Sequence, residues 1–241
     1  MIIKNLMSNP VKRIITSLLF APIFLYVIYL GGYLFLSAML LLYVLMFVEW
    51  IGMTRKLEKS LYWWLLGFLY ITFAIGVMIF LEGIRHNIFG AENLPIDPFA
   101  IIILVWVNDI FSYIIGKSVG GAKLWPSVSP NKTWSGAIGG VAACLGVLFI
   151  INYIQDFGAG KVDDRGYYLI FAFHVLVPVV SQIGDLFISH LKRKASVKDT
   201  GNILPGHGGL LDRFDGLLLV LNVFGLYFYI TIFLKALGNM N

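Results

Sequence analysis

Seven long apolar runs, separated by short polar segments, dominate this chain. A helix needs about twenty apolar residues to cross the hydrocarbon core of a bilayer, where each backbone N–H and C=O must be satisfied within the segment. The sequence therefore predicts an all-α fold, a polytopic transmembrane helical bundle of about seven spans, with six to nine compatible with the pattern. The predicted spans cover 14–30, 33–51, 61–81, 99–115, 135–153, 167–188 and 210–234.

The composition agrees with lipid as the main solvent. Hydrophobic residues make up 59% of the 241 residues, charged residues only 13%, and the mean hydropathy is +0.85. The net charge of +5 comes from short basic clusters between apolar runs, a pattern typical of membrane proteins that contact anionic headgroups. We therefore expect no nucleic-acid partner. The single cysteine, Cys144, excludes an intrachain disulfide and a multi-cysteine metal site.

The distribution of Lys and Arg predicts the orientation. Cytoplasmic loops of membrane proteins carry an excess of these residues. With the N-terminus in the cytoplasm and seven spans, all but four of the 18 Lys and Arg residues fall on the cytoplasmic side; the four are Arg85, Lys161, Arg165 and Lys235. The sequence thus predicts a cytoplasmic N-terminus and one membrane domain without an internal repeat.

Four aspartates lie within or beside the predicted spans, all towards the cytoplasmic side. Asp109 begins a polar stripe in the fourth span, Asp185 precedes Ser189 and Lys192 on one face of the sixth, and Asp212 and Asp215 start the seventh. Carboxylates in a membrane are costly and usually functional, so three helices are expected to direct these side chains into one shared pocket.

Each of these residues also has a structural explanation. Asp212 and Asp215 are compatible with carboxylates that complement the dipole of a helix N-terminus. In the structural alternative, Asp109 is a buried residue held by hydrogen bonds, and Asp185 forms an ion pair with Lys192. The occurrence of all four on one side of the membrane favours the functional interpretation.

Two polar segments on the same side add groups that suit phosphates. One, SVSPNKT, contains Ser129, Lys132 and Thr133 just before the fifth span. The other, KRKASVKDTGNILPGHGG, supplies cations and then a glycine-rich approach to a helix N-terminus, which can present free N–H groups to an anion. The alternatives are headgroup contacts for Lys192, Arg193 and Lys194, and a turn role for His207.

These parts together specify a metal-assisted reaction of phosphates. Carboxylates can hold Mg²⁺, which bridges to substrate phosphate, and cations can bind the remaining phosphate charge. Phosphoryl or nucleotidyl transfer requires charge neutralisation and positioning more than a covalent nucleophile. A P-loop is excluded, because Phe111 stands where the first glycine would precede Gly116-Lys117-Ser118.

The motif-bearing part of the chain resembles the phosphatidate cytidylyltransferase (CDP-diacylglycerol synthase) family. The resemblance covers about the C-terminal 60% of the sequence and includes SPNKTWSG, from Ser129, and Gly184-Asp185-Leu186. It divides the chain into N-terminal transmembrane helices, 1–98, and a catalytic transmembrane region, 99–241. The remaining matched residues are Trp106, Asp109, Tyr113, Gly116, Ser189, Lys192, Arg193, Lys198, Asp199, Gly201, Pro205, Gly206, His207, Gly208, Gly209, Asp212, Arg213 and Asp215.

The resemblance implies a membrane enzyme in which the phosphate of phosphatidic acid attacks the α-phosphorus of CTP and releases pyrophosphate. It also implies a homodimer, and a bacterial inner membrane with the active site facing the cytoplasm. Ser135 departs from the Glu or Gln usual in the family and is given no role.

The expected roles follow from the same resemblance. Mg²⁺ is the expected cofactor. The resemblance also allows a second metal ion, and this second ion can be a monovalent cation. The metal ligands are Asp185, Asp212 and Asp215. The catalytic residues are these three with Asp109, Lys192 and Arg193. The substrate-binding residues are Ser129, Lys132, Thr133, Ser189, Lys198, Asp199, His207, Gly208, Gly209 and Arg213.

Two rival functions remain compatible with the sequence. A transporter or channel could use intramembrane carboxylates for ion coupling, but it usually carries sites near the midplane on repeated halves. A related polyprenol kinase or an archaeal-type lipid cytidylyltransferase would share the general chemistry and differ in its lipid substrate.

Overall fold

The computed structural model describes residues 9–85, 97–156, 164–204 and 208–238, and side chains within 19–85, 97–151, 168–204 and 208–231. In these ranges it contains seven α-helices and one β-hairpin, in agreement with an all-α membrane bundle. The helices are α1 (Asn9–Leu30), α2 (Gly32–Thr54), α3 (Ser60–Arg85), α4 (Pro98–Val119), α5 (Trp134–Asp156), α6 (Asp164–Lys194) and α7 (Leu211–Gly238). The strands β1 (Lys123–Trp125) and β2 (Ser129–Thr133) join α4 to α5.

Within the described ranges, six helices, α2 to α7, are long and apolar enough to cross a membrane. In α1 the described side chains begin at Leu19, and Leu19–Leu30 forms a shorter apolar helix. Large apolar side chains cover the outside of the bundle; Tyr33, for example, is 92% exposed and Leu40 64% exposed. Such a surface suits lipid and not water. The chain is therefore an integral membrane protein, as the sequence predicts.

Local signals set the ends of α4. Asp97 precedes the helix, and its carboxylate accepts a hydrogen bond from the Phe99 N–H at 2.8 Å. Pro98 occupies the first turn, where its missing N–H costs nothing. At the other end Gly120 adopts a φ of 67°, a conformation that suits glycine and terminates the helix. These signals set where α4 begins and ends.

Small residues bring α4 and α5 into close contact. A Cβ atom at Gly136 would lie 3.1 Å from the Cα of Gly116, so the two backbones nearly touch. Asn108 of α4 is fully buried, and Gln182 of α6 donates to its Oδ1 at 2.7 Å. Gln182 also donates to the carbonyl of Ala137 in α5 at 3.0 Å. A single side chain thus ties three helices together inside the membrane.

The core runs through the whole bundle. It contains residues from all seven helices, with Phe35, Met46, Trp50, Ile71 and Leu81 among the most deeply buried. Helix α3 packs along both α2 and α7, and α6 packs along α7. The division at residue 98 stays a prediction, but side chains from both parts share this core.

Candidate active site

One large cavity lies between the helices at the end of the bundle where α4 and α6 end and α7 begins. Its volume is about 1140 Å³. One wall is polar and charged, whereas another is apolar and includes Phe20, Phe24 and Phe214. Nine of the predicted site residues line it: Asp109, Lys132, Thr133, Asp185, Lys192, Asp199, Asp212, Arg213 and Asp215. The expectation that α4, α6 and α7 bring their aspartates to one pocket is confirmed.

Asp185 stands near the C-terminal end of α6 and is paired with Lys132 of β2. Its other oxygen, Oδ1, accepts a hydrogen bond from the Ser189 hydroxyl at 3.2 Å, one turn further along α6. The alternative that Asp185 pairs with Lys192 is therefore wrong. The hairpin supplies the cation, because Lys132 of β2 lines the cavity.

Asp212 is the most firmly held of the four aspartates. Its Oδ1 pairs with the Lys192 ammonium at 2.7 Å, and the two side chains are only 6% and 11% exposed. Its Oδ2 accepts hydrogen bonds from the backbone N–H groups of Thr200, at 2.9 Å, and Gly209, at 3.0 Å. Asp212 stands in the first turn of α7, where a carboxylate complements the helix dipole, but the two N–H groups bonded to it precede the helix.

Asp215 lies one turn beyond Asp212, and its position depends on a glycine. A Cβ atom at Gly184 would lie 2.7 Å from the carbonyl oxygen of Asp215 and 3.1 Å from the Cα of Gly216. The Gly184-Asp185 pair therefore lets α6 touch α7 at the level of the site. Asp215 Oδ1 accepts a hydrogen bond from the Gly216 N–H at 2.8 Å.

Asp109 enters the cavity from α4. Asn108 donates to its Oδ1 at 3.3 Å, and the same Asn108 is held by Gln182. The hydroxyl of Ser112 also donates to Asn108 Oδ1, at 3.4 Å. Asp109 and Ser112 of the polar stripe predicted for α4 thus share a hydrogen-bonded group with Asn108, which the stripe did not include, and this group orients the carboxylate.

The β-hairpin is the element that the sequence did not predict. Arg193 of α6 donates from Nε to the carbonyl of Val128 at 3.2 Å, and the His190 ring stacks on Trp125 with centroids 5.5 Å apart. Ser135, for which no role was expected, donates to the carbonyl of Gly120 and lies 3.0 Å from the Thr133 hydroxyl. These contacts close the base of the hairpin and dock it on α6.

Six predicted site residues lie outside the described lining of the cavity. Arg193 holds the hairpin, Ser189 contacts Asp185, and Gly209 contributes its N–H to Asp212. The others are Ser129, Lys198 and Gly208. Their predicted roles stay predictions. His207 lies outside the described residues.

Several lining residues were missing from the predicted set. Lys117 and Lys123 add cations, and Asn131 and Gln182 add amides. Lys117 has a sequence signal, because it follows Tyr113 by four residues on the polar face of α4. Lys123 and Asn131 have none, because they belong to the unpredicted hairpin.

The carboxylates of the cavity determine how a metal ion could be held. Among the described residues, no three Asp, Glu, His or Cys side chains gather closely enough to hold a metal by themselves. Mg²⁺ commonly takes one or two carboxylates and completes its shell with water and substrate phosphate. Asp185 and Asp215 can supply these two carboxylates, although a metal ion at Asp185 would have to replace the Lys132 ammonium on its Oδ2. Both oxygens of Asp212 are already engaged, so a metal ion there would have to replace the Lys192 ammonium.

The comparison with known proteins agrees with this geometry. Residues 58–233 match the model of the cytidylyltransferase family. A protein of Rickettsia bellii named phosphatidate cytidylyltransferase is 37% identical over 215 residues, covering 88% of this chain and 87% of the relative. A Brucella abortus protein of the same name is 34% identical over 270 aligned positions, covering 92% of this chain and 95% of the relative. The chain therefore belongs to the cytidylyltransferase family, as an integral membrane nucleotidyltransferase.

Proposed function

We propose that the chain transfers CMP from CTP to phosphatidic acid and so makes CDP-diacylglycerol for phospholipid biosynthesis. A phosphate oxygen of phosphatidic acid attacks the α-phosphorus of CTP. The bond from that phosphorus to the bridging oxygen of the β-phosphate breaks, and pyrophosphate leaves. The relatives from Rickettsia and Brucella carry the name of this activity.

The observation that carries the proposal is the two-sided cavity. Its polar wall offers Lys117, Lys123, Lys132 and Arg213 to phosphate oxygens, and its apolar wall, with Phe20 and Phe24 of α1, suits the glycerol and the first acyl carbons of a lipid. A nucleotide and a phospholipid headgroup can thus meet in one space. Holding both reactants in line accounts for much of the acceleration in such transfers.

Mg²⁺ is the proposed cofactor, with Asp185 and Asp215 as its ligands from the protein and Asp212 as a further predicted one. When bound, it would neutralise charge on the phosphates. A second metal ion, including a monovalent cation, belongs to the same proposal. The chain's own residues bind the phosphates and orient the lipid: Lys132 and Lys192 face the reacting groups from β2 and α6, and Asn108 holds Asp109 in place.

The proposed setting is a bacterial inner membrane with the cavity open to the cytoplasm. The bacterial relatives and the excess of Lys and Arg at the cavity end support it. A homodimer is proposed from the family resemblance alone.

The test is transfer of label from CTP, labelled at the α-phosphate, into a chloroform-soluble product by purified protein. We expect transfer that requires phosphatidic acid, releases pyrophosphate, stops with a chelator and resumes with Mg²⁺. Polyprenol serves as an alternative acceptor in parallel reactions with CTP labelled at the γ-phosphate, the group that a kinase transfers, and polyprenyl phosphate serves as one with the α-label. Transfer to a polyprenol acceptor and not to phosphatidic acid would refute the assigned substrate.

A further inference from the structure

Glu49 is a buried carboxylate in the N-terminal part of the chain, near the end of α2. The residue as a whole is only 5% exposed. A buried carboxylate is costly unless hydrogen bonds or charges compensate for the lost water. Its partners therefore indicate what it does.

Among the described residues, the hydrogen-bond partners of Glu49 all belong to the segment that leads into α7. Its Oε1 accepts from the Leu210 N–H at 3.0 Å, and its Oε2 accepts from the Leu211 N–H at 2.8 Å. The Thr200 hydroxyl donates to Oε2 at 3.3 Å. The first N–H groups of a helix lack partners within the helix, and a negative charge there also complements the helix dipole. Glu49 thus caps α7 from another helix.

Two glycines make room for this carboxylate. A Cβ atom at Gly209 would lie 2.7 Å from Glu49 Oε2, and one at Gly201 would overlap Oε1. Both positions belong to the motif that the sequence analysis singled out before α7. Part of that motif therefore accommodates Glu49.

Asp212 also forms hydrogen bonds with this segment. Thr200 donates its hydroxyl to Glu49 and its N–H to Asp212. Gly209 donates its N–H to Asp212 and lies against Glu49. The two carboxylates hold the same backbone between them, so a shift of this backbone moves Asp212 and its partner Lys192.

Helix α2 is itself fixed at this level. Trp50, fully buried, donates from its indole Nε1 to the carbonyl of Trp63 in α3 at 2.7 Å. It packs against Gly67, where any Cβ atom would overlap the indole ring. Glu49 therefore contacts Thr200 and the Gly209–Leu211 backbone from a helix whose own position is fixed by α3.

We propose that Glu49 is a positioning residue that sets the Asp212–Lys192 pair for the transfer reaction. The inference rests on the proposed function. Glu49 lies outside the described lining of the cavity, so it acts through the Thr200–Gly201 and Gly209–Leu211 backbone and touches no substrate. This gives the N-terminal helices a part in the site that lies mainly in the second half of the chain.

The test compares Glu49→Gln and Glu49→Ala with Glu58→Gln, an exposed glutamate between α2 and α3, as the matched control. We expect kcat to fall about tenfold in Glu49→Gln and further in Glu49→Ala, with a rise of about threefold or more in KM for CTP. A smaller folded fraction would lower kcat alone. The rise in KM therefore separates a displaced site from a merely less stable protein. Glu58→Gln should match the wild type.

Hydrogen exchange provides a second readout that does not need activity. The Leu210 and Leu211 amides should exchange faster in Glu49→Ala, whereas those of α4 should not change. Wild-type kinetics in both Glu49 variants, or a fall in kcat without a change in KM, would overturn the inference. If the wild type transfers no CMP, the proposed function fails, and unchanged exchange at Leu210 and Leu211 in Glu49→Ala would then reject the positioning role of Glu49 as well.

Discussion

At the scale of single residues, the two lysine–aspartate pairs of the cavity differ in their surroundings. The Lys192–Asp212 pair is nearly buried, with exposed side-chain fractions of 11% and 6%. The Lys132–Asp185 pair is partly open, with fractions of 27% and 33%. Removing one partner of a buried pair leaves an uncompensated charge. In an exposed pair, water solvates the charge that remains.

This difference predicts the effect of removing each lysine on stability. Lys192→Met should lower the free energy of unfolding by about 3 kcal/mol, because Asp212 would keep only its two backbone hydrogen bonds. Lys132→Met should lower it by about 1 kcal/mol or less. Thermal unfolding of the purified variants in detergent measures both. Equal shifts in Tm would contradict the assigned burial.

The site residues that the sequence predicted were those whose chemistry is unusual for their location. Aspartates within apolar runs are conspicuous, and Asp109, Asp185, Asp212 and Asp215 all line the cavity. Their partners were not predictable, because pairing depends on how helices pack. Glu49 illustrates this: its partners lie 151 to 162 positions away in the sequence.

At the scale of elements, close helix contacts place the aspartates. Gly184 lets α6 touch α7, and the contact sets the spacing between Asp185 and Asp215. A methyl group there has no room, since it would meet the Asp215 carbonyl oxygen at 2.7 Å.

Gly184→Ala should therefore separate α6 from α7. We expect a loss of about 1–3 kcal/mol in stability from overpacking, together with reduced transfer activity. Gly76→Ala in α3 is the control, because a Cβ atom there meets nothing within 4 Å. That change should be neutral or stabilising by up to about 1 kcal/mol. The transfer activity and Tm of the two variants test this prediction. A Gly184→Ala variant with wild-type activity and Tm would contradict the close contact between α6 and α7.

Apolar length predicted the helices well and the hairpin not at all. Helix α6 runs to Lys194, beyond the predicted end at Ile188, because its last turns are basic and continue the helix outside the apolar run. Pro178 lies inside it, which membrane helices tolerate. The strands β1 and β2 have 3 and 5 residues and carry no alternating pattern, so only their pairing across the turn reveals them.

At the scale of the whole molecule, successive helices run in opposite directions, and this places the site residues at one end of the bundle. The ends of α2, α4 and α6 and the starts of α5 and α7 meet there, and with them Glu49, the hairpin and the aspartates. The sequence predicts this end to face the cytoplasm from its Lys and Arg content.

Cysteine labelling tests that orientation. The native Cys144 is fully buried and should stay unlabelled. A reagent that cannot cross the membrane should label Tyr33→Cys, at the α1–α2 turn, in cells that have lost the outer membrane and cell wall but keep an intact inner membrane. It should label Glu58→Cys, at the other end of α2, only after the membrane is opened. The reverse pattern would show that the cavity faces outwards.

The measurement that tests the account most directly is CMP transfer to phosphatidic acid by Asp185→Asn and Asp212→Asn. Asp97→Asn is the control, because Asp97 caps α4 away from the cavity and asparagine caps a helix equally well. The account predicts that both cavity variants, folded as judged by Tm, lose at least about a hundredfold in kcat/KM, a loss of about 2.7 kcal/mol in transition-state stabilisation, and that Asp97→Asn keeps wild-type activity. Full activity in both cavity variants would contradict the assignment of this cavity as the active site.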